Sequence, residues 1–277
     1  MSIQTQPGTE LGQNTIFCYS GTGNSLATAR QIANELGAEI KLICAELGGE
    51  FEGDAAIFVY PVYAYGMPME VKRFIKRSKF KYNYCAIVTT CGSRSHGAIT
   101  EGKHVIRRRG QKVQLAAEVR CVENYVHMFA LPAEDKIKEQ VAKQETRTAE
   151  AIEKIKAKGK SHPFPIRPFS AFVRLVFRSA SKTFAKHYKV NKACTGCGIC
   201  ARLCPSRAIT MAETKCAECE QSGAHSHNRP VFNPKICDHC QACLQLCPRR
   251  AIQFGKITPD GRRYKHPAIS TDDLFKR

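Results

Sequence analysis

TIFCYSGTGNSLATARQIANELG, residues 15–37, is the stretch whose reading decides the fold. Thr15 to Tyr19 reads as a short buried strand. Ser20-Gly21-Thr22-Gly23-Asn24-Ser25 follows at once, and Leu26, Ala29, Ile32, Ala33 and Leu36 then recur at helical spacing until Gly37 stops the helix. Strand, small polar loop and helix together outline an anion site, with backbone N–H groups and hydroxyls aimed at a phosphate and the helix dipole behind them. The loop lacks the Gly-Lys-Ser/Thr ending of a Walker loop and does not fit G-x-G-x-x-G. An ordinary Gly-rich turn with an N-cap would use the same residues, so the surrounding elements must decide.

Those elements alternate. Strands are predicted at Glu39–Cys44, Ala55–Tyr60, Tyr84–Thr90 and Val113–Val122, and helices at Met67–Arg77, Gly97–Arg109 and Ala133–Lys158. Five strands alternating with helices predict an α/β fold with a doubly wound, five-stranded parallel sheet that binds ligands at the carboxyl ends of its strands. Three loops leave those ends: Ser20–Ser25, Pro61–Pro68 (PVYAYGMP) and Cys91–Gly97 (CGSRSHG). The second carries two tyrosines suited to flank a planar ring, and the third is rich in small residues that allow close backbone approach.

The C-terminal third is built differently. Cys194, Cys197, Cys200 and Cys204 precede Pro205, and Cys237, Cys240, Cys243 and Cys247 precede Pro248. Each run is C-x2-C-x2-C-x3-C-P, the spacing by which bacterial ferredoxins hold 4Fe–4S clusters. Three thiolates two residues apart wrap one cube, and the fourth points across to the other. Cys194, Cys197, Cys200 and Cys247 are therefore expected on one cluster, and Cys237, Cys240, Cys243 and Cys204 on the second. Disulfides or tetrahedral zinc are the competing readings, but zinc ribbons use pairs of cysteines, not triplets followed by Cys-Pro.

At this point the chain resembles flavodoxins over its first half and, taken whole, the flavodoxin–ferredoxin fusion proteins of anaerobic bacteria and archaea. YSGTGNS is similar to the flavodoxin phosphate loop. The resemblance implies FMN, with its phosphate on the loop Ser20, Gly21, Thr22, Gly23, Asn24 and Ser25. It places Pro61, Val62, Tyr63, Tyr65, Gly66, Thr90, Cys91, Gly92 and Tyr125 near the ring. The sequence departs from that pattern in having no Trp, a frequent flavin-stacking residue, and in placing Arg94 and His96 in the third loop. The implied organisation is a flavodoxin-like domain at 13–158, a basic linker at 159–189, a small α+β two-cluster ferredoxin-like domain at 190–256 and a tail at 257–277.

Composition adds bounds. With 277 residues and 43% hydrophobic side chains, the chain can bury two cores. No secretory pattern opens the sequence and no run of about 18 apolar residues occurs, so a reducing cytoplasm is expected to keep its 15 cysteines from pairing. The formal net charge is +19, and 13 Lys and Arg lie between Glu153 and Glu213 with no acidic residue among them. An acidic redox partner is the expected reading, with anionic lipid as another. No groove-reading or base-stacking motif accompanies the charge, so nucleic acid is not expected.

Within the linker, Phe172, Leu175, Val176, Ala180 and Phe184 form an apolar stripe. It is read as the buried face of a helix packed between the domains, with a membrane-surface helix as the second reading. Cys216 and Cys219, with His225 and His227, offer four ligands for an additional zinc ion, or else are unmetallated groups of a polar loop. The function these features predict is electron transfer between FMN and two clusters, to or from a partner. An FMN-dependent reductase of a small molecule is the alternative, and an iron–sulfur nucleic-acid regulator a weaker one. No catalytic acid–base pair stands out, and His96 is a lone candidate.

Overall fold

The computed structural model describes residues 13–161, 172–173, 175–176, 183, 185–214, 227–255 and 261–275. Residues 13–161 form the predicted alternation. Strands β1 (Thr15–Cys18), β2 (Glu39–Leu42), β3 (Gly49–Pro61), β4 (Ser78–Cys91) and β5 (Leu115–Arg120) pair all-parallel in the order β2-β1-β3-β4-β5. That order is the flavodoxin-like doubly wound topology, and it puts the switch point between β1 and β3. Helices α1 (Asn24–Leu36), α2 (Met69–Lys76), α3 (His96–Arg107) and α4 (Glu134–Lys156) cover the sheet.

Alternation along β1 shows how the sheet is buried twice. Ile16 and Cys18 enter a core with Leu26, Ala29 and Ile32 of α1 and Ile152 and Ile155 of α4. Phe17 enters the opposite core with Val71, Phe74 and Ile75 of α2 and Ile99 and Ile106 of α3. Phe17 centres an aromatic cluster in which Phe51, Phe58, Phe74 and Phe80 lie 5.0–5.5 Å from its ring. Gly37 ends α1 in the left-handed conformation at φ 58°, where a side chain would be strained.

Two strands exceed their predicted lengths. Gly49–Gly53 pairs with Ser78–Tyr82 as a two-stranded extension of the sheet. Glu50 and Glu52 alternate with Phe51, and Lys79 and Lys81 with Phe80. Facing charges lie on one side and stacked rings on the other.

The C-terminal module is small. β6 (Tyr188–Val190) pairs antiparallel with β9 (Ile252–Phe254), so its pairing reaches back to Tyr188. β7 (Ile209–Thr214) pairs with β8 (His227–Phe232), and short helices occupy Ile199–Leu203 and Ala242–Gln245. Tyr188, Ile209, Leu244, Ile252 and Phe254 form its core. Leu203, Ala242 and Leu246 instead join the α1–α4 core of the sheet, so the two modules share apolar packing.

Residues 261–275 return to the sheet as a strap. Tyr264, His266, Ile269 and Leu274 are buried, Asp273 pairs with Arg30 at 2.5 Å, and Arg202 lies 4.1 Å above the Phe275 ring. Among the described residues, no helix is long and apolar enough to cross a membrane. The linker stripe is not the expected buried face: residues 172, 173, 175 and 176 are helical, yet Phe172 (64%), Leu175 (66%) and Val176 (49%) are exposed. Ala180 and Phe184 lie outside the described residues.

Candidate functional site

A cavity of about 360 Å³ opens at the carboxyl ends of β1, β3 and β4. Its lining includes Ser20, Gly21, Thr22, Asn24 and Ser25 from the first loop, Pro61, Val62, Tyr63 and Tyr65 from the second, and Thr90, Cys91, Gly92 and Arg94 from the third. Gly23 and Gly66 are absent from the lining. Gly23 holds φ 108° at the start of α1, where a Cβ would meet the strap at 2.8 Å from the His266 Cβ. Gly66 closes a tight turn by exchanging two 2.9 Å backbone bonds with Tyr63. Ala64 and Tyr65 accept left-handed φ values of 45° and 61° in that turn, which sets both tyrosines at the cavity.

The first loop is held by its own polar groups. Ser20 Oγ accepts the N–H groups of Gly23 and Leu26 at 3.2 and 3.3 Å. Ser25 Oγ and Thr90 Oγ1 lie 2.7 Å apart, joining the first loop to the end of β4. Asn124 Nδ2 donates to Thr22 Oγ1. Asn24 lines the cavity, but its side chain is engaged elsewhere: Nδ2 donates to Val122 O at 3.1 Å, and Oδ1 accepts the Tyr264 hydroxyl at 2.7 Å. Gly92 is required by a close approach, since a Cβ there would lie 2.3 Å from the Glu123 carboxylate.

Two walls of this cavity were not read from the sequence beyond Tyr125. One is the segment after β5, which supplies Glu123, Asn124, Met128 and Phe129. The other is His239, Cys240 and Gln241 of the second cysteine run. A Cβ on Gly21 would stand 2.7 Å from the Cys240 carbonyl oxygen. Asp238 fastens this junction. Its carboxylate accepts Met69 N–H at 3.1 Å and Glu70 N–H at 2.9 Å, capping α2, and also accepts the Tyr19 hydroxyl at 3.2 Å.

The two cysteine runs have matching backbones. Gly196, Gly198 and Arg207 sit at φ 69°, 73° and 52°, and 43 residues on, His239, Gln241 and Arg250 sit at 55°, 59° and 47°. Ala208 N–H points at Cys204 Sγ at 3.2 Å, and Ala251 N–H at Cys247 Sγ at 3.3 Å. The first run thus uses glycine at two left-handed positions where the second uses His and Gln. Those two side chains line the cavity, so the second run bears backbone strain at the junction. Gln241 is 3% exposed, and its Nε2 has no hydrogen-bond partner.

Cys194, Cys197, Cys200 and Cys247 line one small cavity together. Burial pushes the Cys200 thiol up to about 12, and the nearby Cys247, Cys197 and Cys194 add to the shift. Cys204 stands with the other group. Burial pushes Cys237 up to about 12 and raises Cys240 and Cys243 well above the usual thiol value, with Cys204 contributing at each. Among the described residues, no three His, Cys, Asp or Glu side chains converge to hold a single metal ion. The two groups of four fit cubanes, whose thiolates spread over four irons. Cys216, Cys219 and His225 lie outside the described residues, and His227 begins β8.

Residues 193–251 match the family of 4Fe-4S dicluster domains. No curated protein matches the chain significantly. Among solved structures, an azoreductase from Bacillus anthracis is 10% identical with a TM-score of 0.36, over 51% of this chain and 99% of its own. An NAD(P)H:quinone oxidoreductase from Methanothermobacter marburgensis is 13% identical with a TM-score of 0.32, over 55% of this chain and 99% of its own. The chain joins a 4Fe-4S dicluster domain to a flavodoxin-like 2-1-3-4-5 sheet, the make-up of a flavodoxin–ferredoxin fusion.

Proposed function

We propose that the chain relays electrons between an FMN in the 360 Å³ cavity and two 4Fe–4S clusters in the two cysteine groups. When bound, these groups would supply two-electron exchange at the flavin and one-electron steps at the clusters. The observation that carries the reading is the shared wall. Cys240, a ligand of one group, lines the cavity and touches Gly21 of the phosphate loop.

The residues present fit both cofactors. Ser20–Ser25 and the start of α1 offer one anion site, which suits a mononucleotide. Gly21 and Gly92 allow close backbone approach, and the unpartnered Gln241 Nε2 awaits an acceptor. Of the group Cys237, Cys240, Cys243 and Cys204, Cys240 lines the cavity. In the other group Cys197 is exposed, which makes that end the outlet. Arg249 lines the same small cavity, and Lys192, two residues before Cys194, is exposed; these cations suit an acidic redox protein. The buried thiols Cys18, Cys44, Cys85, Cys91 and Cys121, none in a disulfide, suit a reducing cytoplasm.

Anaerobic reconstitution tests the reading. About eight iron, eight sulfide and one FMN per chain are expected. Four iron, zinc in place of iron, or tighter binding of FAD would refute it. Sustained turnover of quinones or nitro compounds would favour the reductase alternative.

A further inference from the structure

Seven large hydrophobic side chains are exposed among the described residues, and six of them belong to the cavity wall or to the linker helix that meets it through Val173. Tyr65, Met128 and Phe129 line the cavity, and Val173 of the linker helix lines it beside them. From that helix, Phe172, Leu175 and Val176 project into solvent at 64%, 66% and 49% exposure; Met128 reaches 70% and Phe129 50%. Positions 172, 175 and 176 follow the i, i+3, i+4 spacing of one helical face, so these side chains stand together on the surface.

An apolar patch of this kind needs an occupant. Its neighbourhood in sequence is strongly cationic: the 13 Lys and Arg between Glu153 and Glu213 have no acidic residue among them, and Arg94 lines the cavity. A second copy of the chain would bring like charges together, which opposes self-association at a net charge of +19. Large apolar side chains within a cationic stretch of sequence match a surface with anionic headgroups above hydrocarbon.

We propose that the face formed by Phe172, Leu175, Val176, Met128 and Phe129 docks on an anionic lipid bilayer, turning the mouth of the cavity toward the membrane. The apolar side chains enter the headgroup boundary and the cations remain at the phosphates. This docking does not depend on which cofactor fills the cavity.

Flotation of the reconstituted full chain tests it. The protein should rise with vesicles of phosphatidylcholine containing about 30% phosphatidylglycerol, and at least about tenfold less with phosphatidylcholine alone. Replacing Phe172, Leu175 and Val176 together by Ser keeps the charge and removes the apolar face. Binding to the anionic vesicles should then fall at least about tenfold while iron and flavin content stay unchanged. Failure of the parent protein to float, or equal flotation of the variant, would overturn the proposal. So would a parent dimer that the triple variant converts to monomer, because a second copy would then cover the face.

Discussion

The backbone carbonyl of Cys240 rests against Gly21: a methyl group on that glycine would lie 2.7 Å from the oxygen. The loop at the end of β1 and a cluster-binding run more than two hundred residues later are thus in van der Waals contact. Asp238 locks them by taking the N–H groups of Met69 and Glu70 and the Tyr19 hydroxyl. The modules are joined at the chemistry itself, not only through the linker.

Gly21→Ala should therefore disturb both sides. The added carbon must displace the Cys240 backbone or the loop, and neither is a flexible side-chain end. FMN affinity should drop at least about tenfold, with iron lost from the neighbouring cluster. Gly48→Ala, where a Cβ would first meet the Arg77 side chain at 3.1 Å, is the control for glycine replacement outside the left-handed region. Flavin fluorescence titration and iron assay would separate the two.

Cys204→Ala should damage the cluster held by Cys237, Cys240 and Cys243, and Cys247→Ala the one held by Cys194, Cys197 and Cys200. Each variant should retain about four of eight irons. Paramagnetic spectra of the reduced protein, compared with each single-cluster variant, would show which centre survives. Loss of the sequence-adjacent cluster would refute the crossed grouping.

Asp238→Ala should unseat the start of α2. Two backbone donors and one hydroxyl lose their acceptor, at a cost of about 1–3 kcal/mol. Hydrogen exchange at the amides of Met69 and Glu70 should accelerate most. Unchanged protection there would mean the cap contributes little.

Gln241→Gly should move two readouts in opposite directions. Glycine accepts φ 59° without strain, so resistance to heat should rise by up to about 1 kcal/mol. FMN should bind more weakly, because the buried amide donor is gone.

Burial lowers the His266 imidazole from its usual value to about 4. Above pH 6.5 the ring is neutral in both folded and unfolded chains. Between pH 6.5 and 4 the unfolded chain takes a proton that the folded one refuses, so stability falls as pH falls, by up to about 3 kcal/mol at the acid end. Denaturant unfolding at about pH 7 and about pH 5.5 should show this slope, and His266→Asn should reduce it, the buried His127, lowered to about 3, carrying a slope of the same sign.

Periodicity is local, and that explains what the sequence disclosed. The apolar spacing of Leu26, Ala29 and Ile32, stopped by Gly37, fixes α1 without knowledge of its neighbours. The loops after β1, β3 and β4 follow from strand–loop–helix order. Gly49–Gly53 lies outside the predicted strand Ala55–Tyr60, because glycine weakens the local strand pattern and the partner at Ser78–Tyr82 is not visible locally. The same blindness hid His239–Gln241, whose place beside Gly21 depends on how two modules dock. For Phe172, Leu175 and Val176, spacing showed that they share a face and said nothing of what that face meets.

The strap carries a consequence for how the protein is made. Tyr264 bonds Asn24 across 240 residues of chain, and His266 N–H bonds the Thr22 carbonyl. The sheet leaves the ribosome before the strap does, so the loop it carries lacks these neighbours until residues 261–275 have followed. A nascent chain that met cofactor before then would hold it in a half-built seat, and residues 261–275 finish the vessel.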